Sequence, residues 1–278
     1  MSRENGVRKP AVDGQFYPGD PTALTTSIDR MLERSELADI QGDIVALVVP
    51  HAGYVYSGQT AAAGYRQVQG KALDAVVVIA PSHQDMFSGA SVYNKGGYQT
   101  PLGVAPVEVD LADAVISQNP SIRFTMAGHR NEHALEVQVP FLQRTIESLK
   151  IVPIVMGERS LELCRALAQA IVVASQGKRI LIVASSDLYH GYSYEACVQA
   201  DRRTLAAIET FDPEAFCRGL DAQYQACGGA PIATALMAAK DMGADRAKVV
   251  ARTNSNDATG TRGGYVVGYA AVVVYKNA

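Results

Sequence analysis

Ile44-Val45-Ala46-Leu47-Val48-Val49-Pro50-His51-Ala52-Gly53-Tyr54 is the stretch on which the fold turns. Six apolar residues run without a polar interruption, and then Pro50, His51 and Gly53 break the run. A continuous apolar run rich in Val and Ile reads as a strand buried on both faces, as in a parallel sheet under helices. The pattern recurs at Ala75–Ala80, followed by Pro81-Ser82-His83. It recurs again at Ile180–Ala184, followed by Ser185-Ser186-Asp187-Leu188-Tyr189-His190. Further runs lie at Ile151–Val155, Lys248–Arg252 and Tyr265–Val274; the last is long, contains Gly268, and reads as an edge or antiparallel strand.

Helical stretches alternate with these runs. Asp20-Pro21 pairs an N-cap with Pro at the first helical position, and Leu24, Ile28, Met31 and Leu32 share one face. Ser160 opens a second helix with Leu163, Leu167 and Ile171 at helical spacing. Tyr194–Glu209 is a third, Asp212-Pro213 repeats the cap signal, and Pro231–Asp241 is closed by Gly243. The alternation predicts an α/β fold with a mainly parallel, mixed central sheet flanked by helices. No linker or repeat divides the chain, so residues 1–278 read as one domain, with 1–7 a flexible N-terminus.

Composition narrows the function. Of 278 residues, 48% are hydrophobic and 19% charged, an ordinary globular balance. Lys and Arg number 25 against 28 Asp and Glu, with no basic cluster, which argues against a nucleic-acid partner. Met1 to Pro10 is polar, unlike a signal peptide, and the run Gly264–Tyr275 is too short to span a membrane. Four Cys without a C-x-x-C predict a reducing, cytoplasmic setting.

The five His are distributed unevenly. His51, His83 and His190 each fall just past the end of a buried strand, at the edge where open α/β sheets bind ligands. His51 and His83 are 32 residues apart, one strand-helix-strand unit, which predicts neighbouring strands and two imidazoles close enough for a divalent metal. Cys227 precedes Gly228-Gly229 and a helix start, where a thiol serves as metal ligand or nucleophile. Cys164, Cys197 and Cys217 read as core. His129-Arg130-Asn131-Glu132-His133 has the H-x-x-E-H spacing of some zinc proteases. With Gly128 before it and Asn131 as N-cap, however, the helix starts near Glu132 and leaves His129 outside. Glu132 and His133 then reach the site from a first helical turn, and Tyr54 and Asp257 are further pocket candidates. Asp257 belongs to the polar segment 254–264, which reads as a rim or lid. No Walker loop, dinucleotide fingerprint or G-x-S-x-G elbow is present.

Together, several stretches give the chain a specific resemblance over about Arg8 to Tyr275. They are Phe16-Tyr17-Pro18-Gly19-Asp20, Pro50 to Gly58, Ala80 to His83, Thr100 to Gly103, Glu132 to Gln138, Ser185 to Leu188, Cys227 to Gly229 and Val267 to Ala270. The chain resembles the Memo family, also called AmmeMemoRadiSam system protein B. One departure is Asn254-Ser255-Asn256-Asp257, where the family more often has Gly before the Asp. The resemblance implies a fold like the class III extradiol dioxygenases, which use non-haem iron. It implies metal ligands His51, His83 and Cys227, with donor atoms within about 5 Å of one another. It implies His190 as acid/base with Asp187 beside it, Asp187 staying ionised and fixing an imidazole's tautomer. Iron(II) is the expected metal, with copper or zinc as alternatives. Expected partners are a small-molecule or peptide ligand and, by family association, a radical-SAM protein and its companion. Two functions follow: a metal-dependent redox enzyme, dioxygenase-like, or a non-catalytic metal- or peptide-binding adaptor that retains the pocket.

Overall fold

Among residues 6–277, which the computed structural model describes, twelve strands form two sheets. In chain order they are β1 (Val7–Arg8), β2 (Gly42–Val49), β3 (Ala75–Pro81), β4 (Ala90–Val92), β5 (Gly97–Thr100), β6 (Gly103–Pro106), β7 (Ile122–Arg123), β8 (Ile151–Met156), β9 (Ile180–Ser185), β10 (His190–Gly191), β11 (Arg246–Asn254) and β12 (Val266–Asn277). The large sheet runs β10-β12-β2-β9-β3-β8-β4-β7, with β11 also paired to β12; the small one runs β1-β5-β6. β2, β9, β3 and β8 are mutually parallel, and β12 is antiparallel to β2. Every residue of β3, β8 and β9 is buried. Because successive side chains point to opposite faces, that burial means helices cover both sides.

The helices begin where the caps predict. Asp20 accepts from the Ala23 N–H at 2.8 Å, and Ser160 from that of Leu163 at 3.1 Å. Ser193 and Asp212 cap the next two helices in the same way. A helix at Tyr54–Arg66 has little amphipathic pattern because small residues form its buried face. A Cβ at Gly64 would stand 2.8 Å from Val49, so the helix lies directly on β2.

Three expectations need correction. His51 and His83 do not end neighbouring strands, because β9 lies between β2 and β3. The connection through Tyr54–Arg66 skips one position, and a strand more than a hundred residues later fills it. The ends of β2, β9 and β3 are therefore consecutive, which places Ser185–Asp187 between the two histidines. β12 is antiparallel as expected but is no edge, since β2 and β11 flank it. The flexible N-terminus was assigned to 1–7: residues 1–5 lie outside the described residues, while Val7 pairs with Gly97 and Arg8 with Tyr98.

Arg8 then anchors the segment that follows. It is buried and ion-paired with Glu136, which is fully buried. It also donates to the carbonyls of His129 at 2.9 Å and Glu132 at 2.7 Å. Glu136 accepts further from the Ala11 and Val12 N–H groups and the Tyr17 hydroxyl. Residues 8–17 thus form a strap over the short helix His133–Glu136.

Candidate metal centre

His51, His83 and Cys227 offer donor atoms that all lie within 4.8 Å of one another. Cys227 Sγ is 3.1 Å from His51 Nε2, and the imidazole centroids of His51 and His83 are 5.1 Å apart. Metal–nitrogen and metal–sulfur bonds of roughly 2.0–2.3 Å require donors about 3.5 Å apart, so these donors close on one ion with small side-chain shifts.

Hydrogen bonding prepares each ligand. The Ser185 hydroxyl donates to the Ala134 carbonyl at 2.6 Å, and its oxygen accepts from Gln138 Nε2 at 2.8 Å. Its remaining lone pair faces His51 Nδ1 at 2.9 Å. That nitrogen must therefore carry the proton, which leaves Nε2 with its lone pair toward Cys227. Burial, followed by the other imidazoles, holds the His51 pKa well below its ordinary value, so the ring stays neutral as a ligand must. Glu132 is 3.0 Å from His83 Nδ1 and accepts from the His83 and Ala134 N–H groups. Burial works against its charge, but His83 and those N–H groups outweigh it and keep the carboxyl below its usual range. His83, Glu132 and His133 also form a three-donor group. The Glu132 oxygens are already taken up by the helix cap and by His83, the usual arrangement of a carboxylate behind a metal-bound imidazole.

Cys227 is placed by backbone. Its N–H donates to the Asp187 carbonyl at 3.2 Å, and the Asp187 N–H donates back to Sγ at 3.2 Å. Gly228 makes this approach possible: a Cβ there would stand 2.2 Å from the Ser185 carbonyl oxygen. Burial, and then the Asp187 charge, push the thiol up to about 12.

A cavity of about 480 Å³ lies next to the donor set; none of the three donors lines it, but Ala52, beside His51 in the chain, and Asp187, whose N–H meets Cys227 Sγ, do. Phe16, Tyr56, Tyr265 and Tyr269 supply aromatic walls, with His133, Asp187 and His190 among the polar lining. Among the described residues, no Lys or Arg lines it. His190 Nδ1 faces the Leu188 carbonyl at 3.0 Å, so it is protonated and Nε2 is the free acceptor. Asp187 is directed differently from expectation. Its carboxylate accepts from the His51 backbone N–H at 2.8 Å, and Ser185, Glu132 and the Leu188 carbonyl fix the imidazoles instead. Burial raises its carboxyl to about 7, so at neutral pH it is not the fixed anion anticipated.

Of the pocket candidates, His133 alone lines this cavity. Its ring centroid is 4.8 Å from that of His83 and 4.9 Å from Phe16. Glu132 stands behind His83. Tyr54 is buried beneath, donating to the Val137 carbonyl. Asp257 binds Tyr194 and Asn254 in a neighbouring cleft beside Asp201. His129 is fully buried between Ser91 and Tyr98, so the protease spacing assembles no site. The polar segment does form a rim, through Ser255, Asn256 and Thr259 of a short helix at Ser255–Thr259 and Thr261 after it. Sequence reasoning missed Ser185, Phe16 and the tyrosines, although Phe16, Tyr56, Ser185 and Tyr269 stand in the stretches that carry the resemblance.

The profile of a family described as Memo-like protein matches residues 8–273. A MEMO1 family protein of Methanosarcina mazei is 36% identical over 274 residues, covering 96% of this chain and 99% of its own. One of Nitrosopumilus maritimus is 31% identical over 273 residues, covering 96% and 98%. The crystal structure of an uncharacterised Escherichia coli K12 protein shares the fold, with a TM-score of 0.54 at 15% identity over 81% of this chain and 99% of its own. No helix among the described residues is long and apolar enough to cross a membrane.

Proposed function

The chain belongs to the Memo family, and within it we propose a metal-dependent oxidoreductase acting on a small neutral substrate. Iron(II) is the first choice of metal, with copper or zinc as alternatives, held by His51, His83 and Cys227. The observation that carries this reading is the convergence of two pre-oriented imidazoles and a thiol beside a cavity with aromatic walls. A thiolate with two imidazoles favours borderline and soft metals over hard cations. Bound iron(II) would supply Lewis acidity and one-electron chemistry.

The chain's own residues do the rest. Ser185 and Glu132 hold the two ligand rings in the tautomer that presents Nε2. Phe16, Tyr56 and Tyr269 give a flat ligand faces to pack on and displace water from the donor side. His190 Nε2 accepts a proton from a substrate hydroxyl in the cavity, as a general base. The lack of a cationic lining disfavours phosphates and polycarboxylates.

Metal analysis of protein purified without chelator, with oxygen uptake on catechol-like substrates after anaerobic iron loading, tests the proposal. One equivalent of metal that is lost in Cys227→Ser, together with substrate-dependent uptake, is the expected result. A second reading, a non-catalytic metal-binding protein, is favoured by the thiolate standing where the dioxygenases have a carboxylate. Stoichiometric metal without uptake would select it, and absence of metal binding by the wild type would reject both.

A further inference from the structure

Cys164 and Cys217 sit on two helices packed against the helix that follows Cys227, and their Sγ atoms are 3.9 Å apart, in contact. Cys164, on the helix Leu161–Ala174, is fully buried; Cys217, on the helix Pro213–Arg218, keeps 8% of its surface exposed. Arg165 and Arg218 flank the pair and share Glu214, at 2.7 and 3.2 Å. Both arginines, but neither cysteine, line an open cavity of about 740 Å³. Hydrogen bonding with Cys164, helped by the Arg218 and Arg165 charges, outweighs burial and the Glu214 charge and brings the Cys217 thiol below its ordinary value. The other three thiols move the opposite way. Burial raises Cys227 and Cys197 to about 12, and hydrogen bonding with Cys217 together with burial raises Cys164.

We propose that Cys217 and Cys164 form a dithiol–disulfide couple, oxidised by hydrogen peroxide or an organic hydroperoxide, with Cys217 as the attacking thiol and Cys164 as the resolving one. A thiol that touches a second thiol, has two arginines beside it and is the less buried of the pair has features of a peroxide-reactive cysteine. In the first step Cys217 Sγ attacks one peroxide oxygen. The O–O bond breaks, sulfur is oxidised to the sulfenic acid, and the other oxygen leaves as hydroxide, or as alkoxide from an organic hydroperoxide. In the second, Cys164 Sγ displaces the sulfenic oxygen. The S–S bond forms, the S–O bond breaks, and the oxygen departs as water with the Cys164 proton. Two electrons pass from the sulfurs to the peroxide. The S–S bond length of about 2.04 Å asks the sulfurs to close by roughly 1.9 Å.

The cross-link would join two helices that both pack against Gly229–Asp241, the helix led by Cys227. It would also remove the hydrogen bond from Cys164 Sγ to the Ala230 carbonyl in that helix's first turn, 3.6 Å long in the dithiol form. The couple does not depend on the metal reading, since none of its atoms belongs to the donor set.

The test is peptide mapping of the full chain after submillimolar hydrogen peroxide, with a chelator present to suppress metal-catalysed oxidation. The expected product is a Cys164–Cys217 linked peptide, about 2 Da lighter than the two thiol peptides, reversed by dithiothreitol. In Cys164→Ser, Cys217 should be trapped as a sulfenic acid by dimedone; in Cys217→Ser, Cys164 should stay reduced. Wild-type protein in which Cys227 or Cys197 oxidises first while Cys164 and Cys217 remain thiols overturns the proposal. So does a disulfide between any other pair, and both results are read without a variant.

Discussion

Ser185→Ala removes one oxygen that three groups share. The hydroxyl fixes His51 Nδ1 at 2.9 Å, holds the Gln138 amide at 2.8 Å and donates to the Ala134 carbonyl at 2.6 Å. Gln138 keeps partners in the Pro50 carbonyl and the Tyr65 hydroxyl, so it loses least. His51 loses its only fixed partner on Nδ1. The ring is then free to rotate or to place the proton on Nε2, the atom that faces Cys227. Loss of such a partner behind a metal-bound imidazole costs about 10–100-fold in metal affinity, or roughly 1.4–2.7 kcal/mol. The buried groups left unpaired should lower global stability by about 1–3 kcal/mol. Competition titration against a chromophoric chelator, using cobalt(II) or iron(II), reads the first number, and urea unfolding of the metal-free chain reads the second. Affinity within twofold of wild type in a variant that has lost stability would refute the assignment of Ser185 as the group that orients His51.

The other predictions concern charge. Metal uptake must displace the Cys227 proton, because burial has pushed that thiol up to about 12. The apparent association constant should therefore rise about tenfold per pH unit between pH 6 and 8, with proton release measurable in weak buffer, and a flat profile would show that the thiol is no ligand. Arg8→Ala leaves Glu136 buried without its cation and should cost about 3–5 kcal/mol by chemical denaturation, where a loss under 1 kcal/mol would mean Tyr17 and the N–H groups suffice. Burial raises the Asp201 carboxyl to about 6, against the Tyr189 N–H that stabilises its charge. Its unfolded value is near 3.9, so the penalty on the charged form is complete above pH 6 and fades as pH falls toward 4. Asp201→Asn should be more stable than wild type by on the order of 2 kcal/mol at pH 8 and equal to it near pH 4, as read by unfolding at both pH values.

What the sequence made legible followed physical locality. The four parallel strands were readable because burial on both faces leaves uninterrupted Val and Ile, and the caps at Asp20, Ser160 and Asp212 act within three residues. The helix after Gly53 escaped because most of its buried face, Ser57, Gly58, Thr60, Ala61, Ala62 and Gly64 between Tyr54 and Tyr65, is small residues that allow close approach and leave no continuous apolar stripe. The helix at Ser255–Thr259 escaped because its signal is one Asn254 side chain in a polar segment, accepting from the Asn256 and Asp257 N–H groups. Sheet order was not legible: nothing between Val49 and Ala75 records that a strand beginning at Ile180 will enter the gap. The three candidate ligands were nameable by resemblance and Glu132 as a neighbour of the site, whereas the pairing of Ser185 with His51 and of Glu132 with His83 was not. Ser185 and His51 are 134 positions apart, Glu132 and His83 are 49, and a serine or glutamate carries no local mark of such a distant partner.

The position of β12 has a consequence for how the protein is made. Its two long partners, β2 and β11, are complete by residue 254, yet neither can be satisfied until residues 266–277 exist. A nascent chain extended only to residue 265 carries His51, His83 and Cys227 but presents an open β2 edge made of Ala46, Leu47 and Val48, next to the His51 turn. Such an edge is a template for pairing with another chain. Synthesis is thus a race between the arrival of one late strand and intermolecular pairing. Ribosome stalling or premature termination in the 250s should therefore yield aggregate, and metal occupancy in cells should report on complete translation.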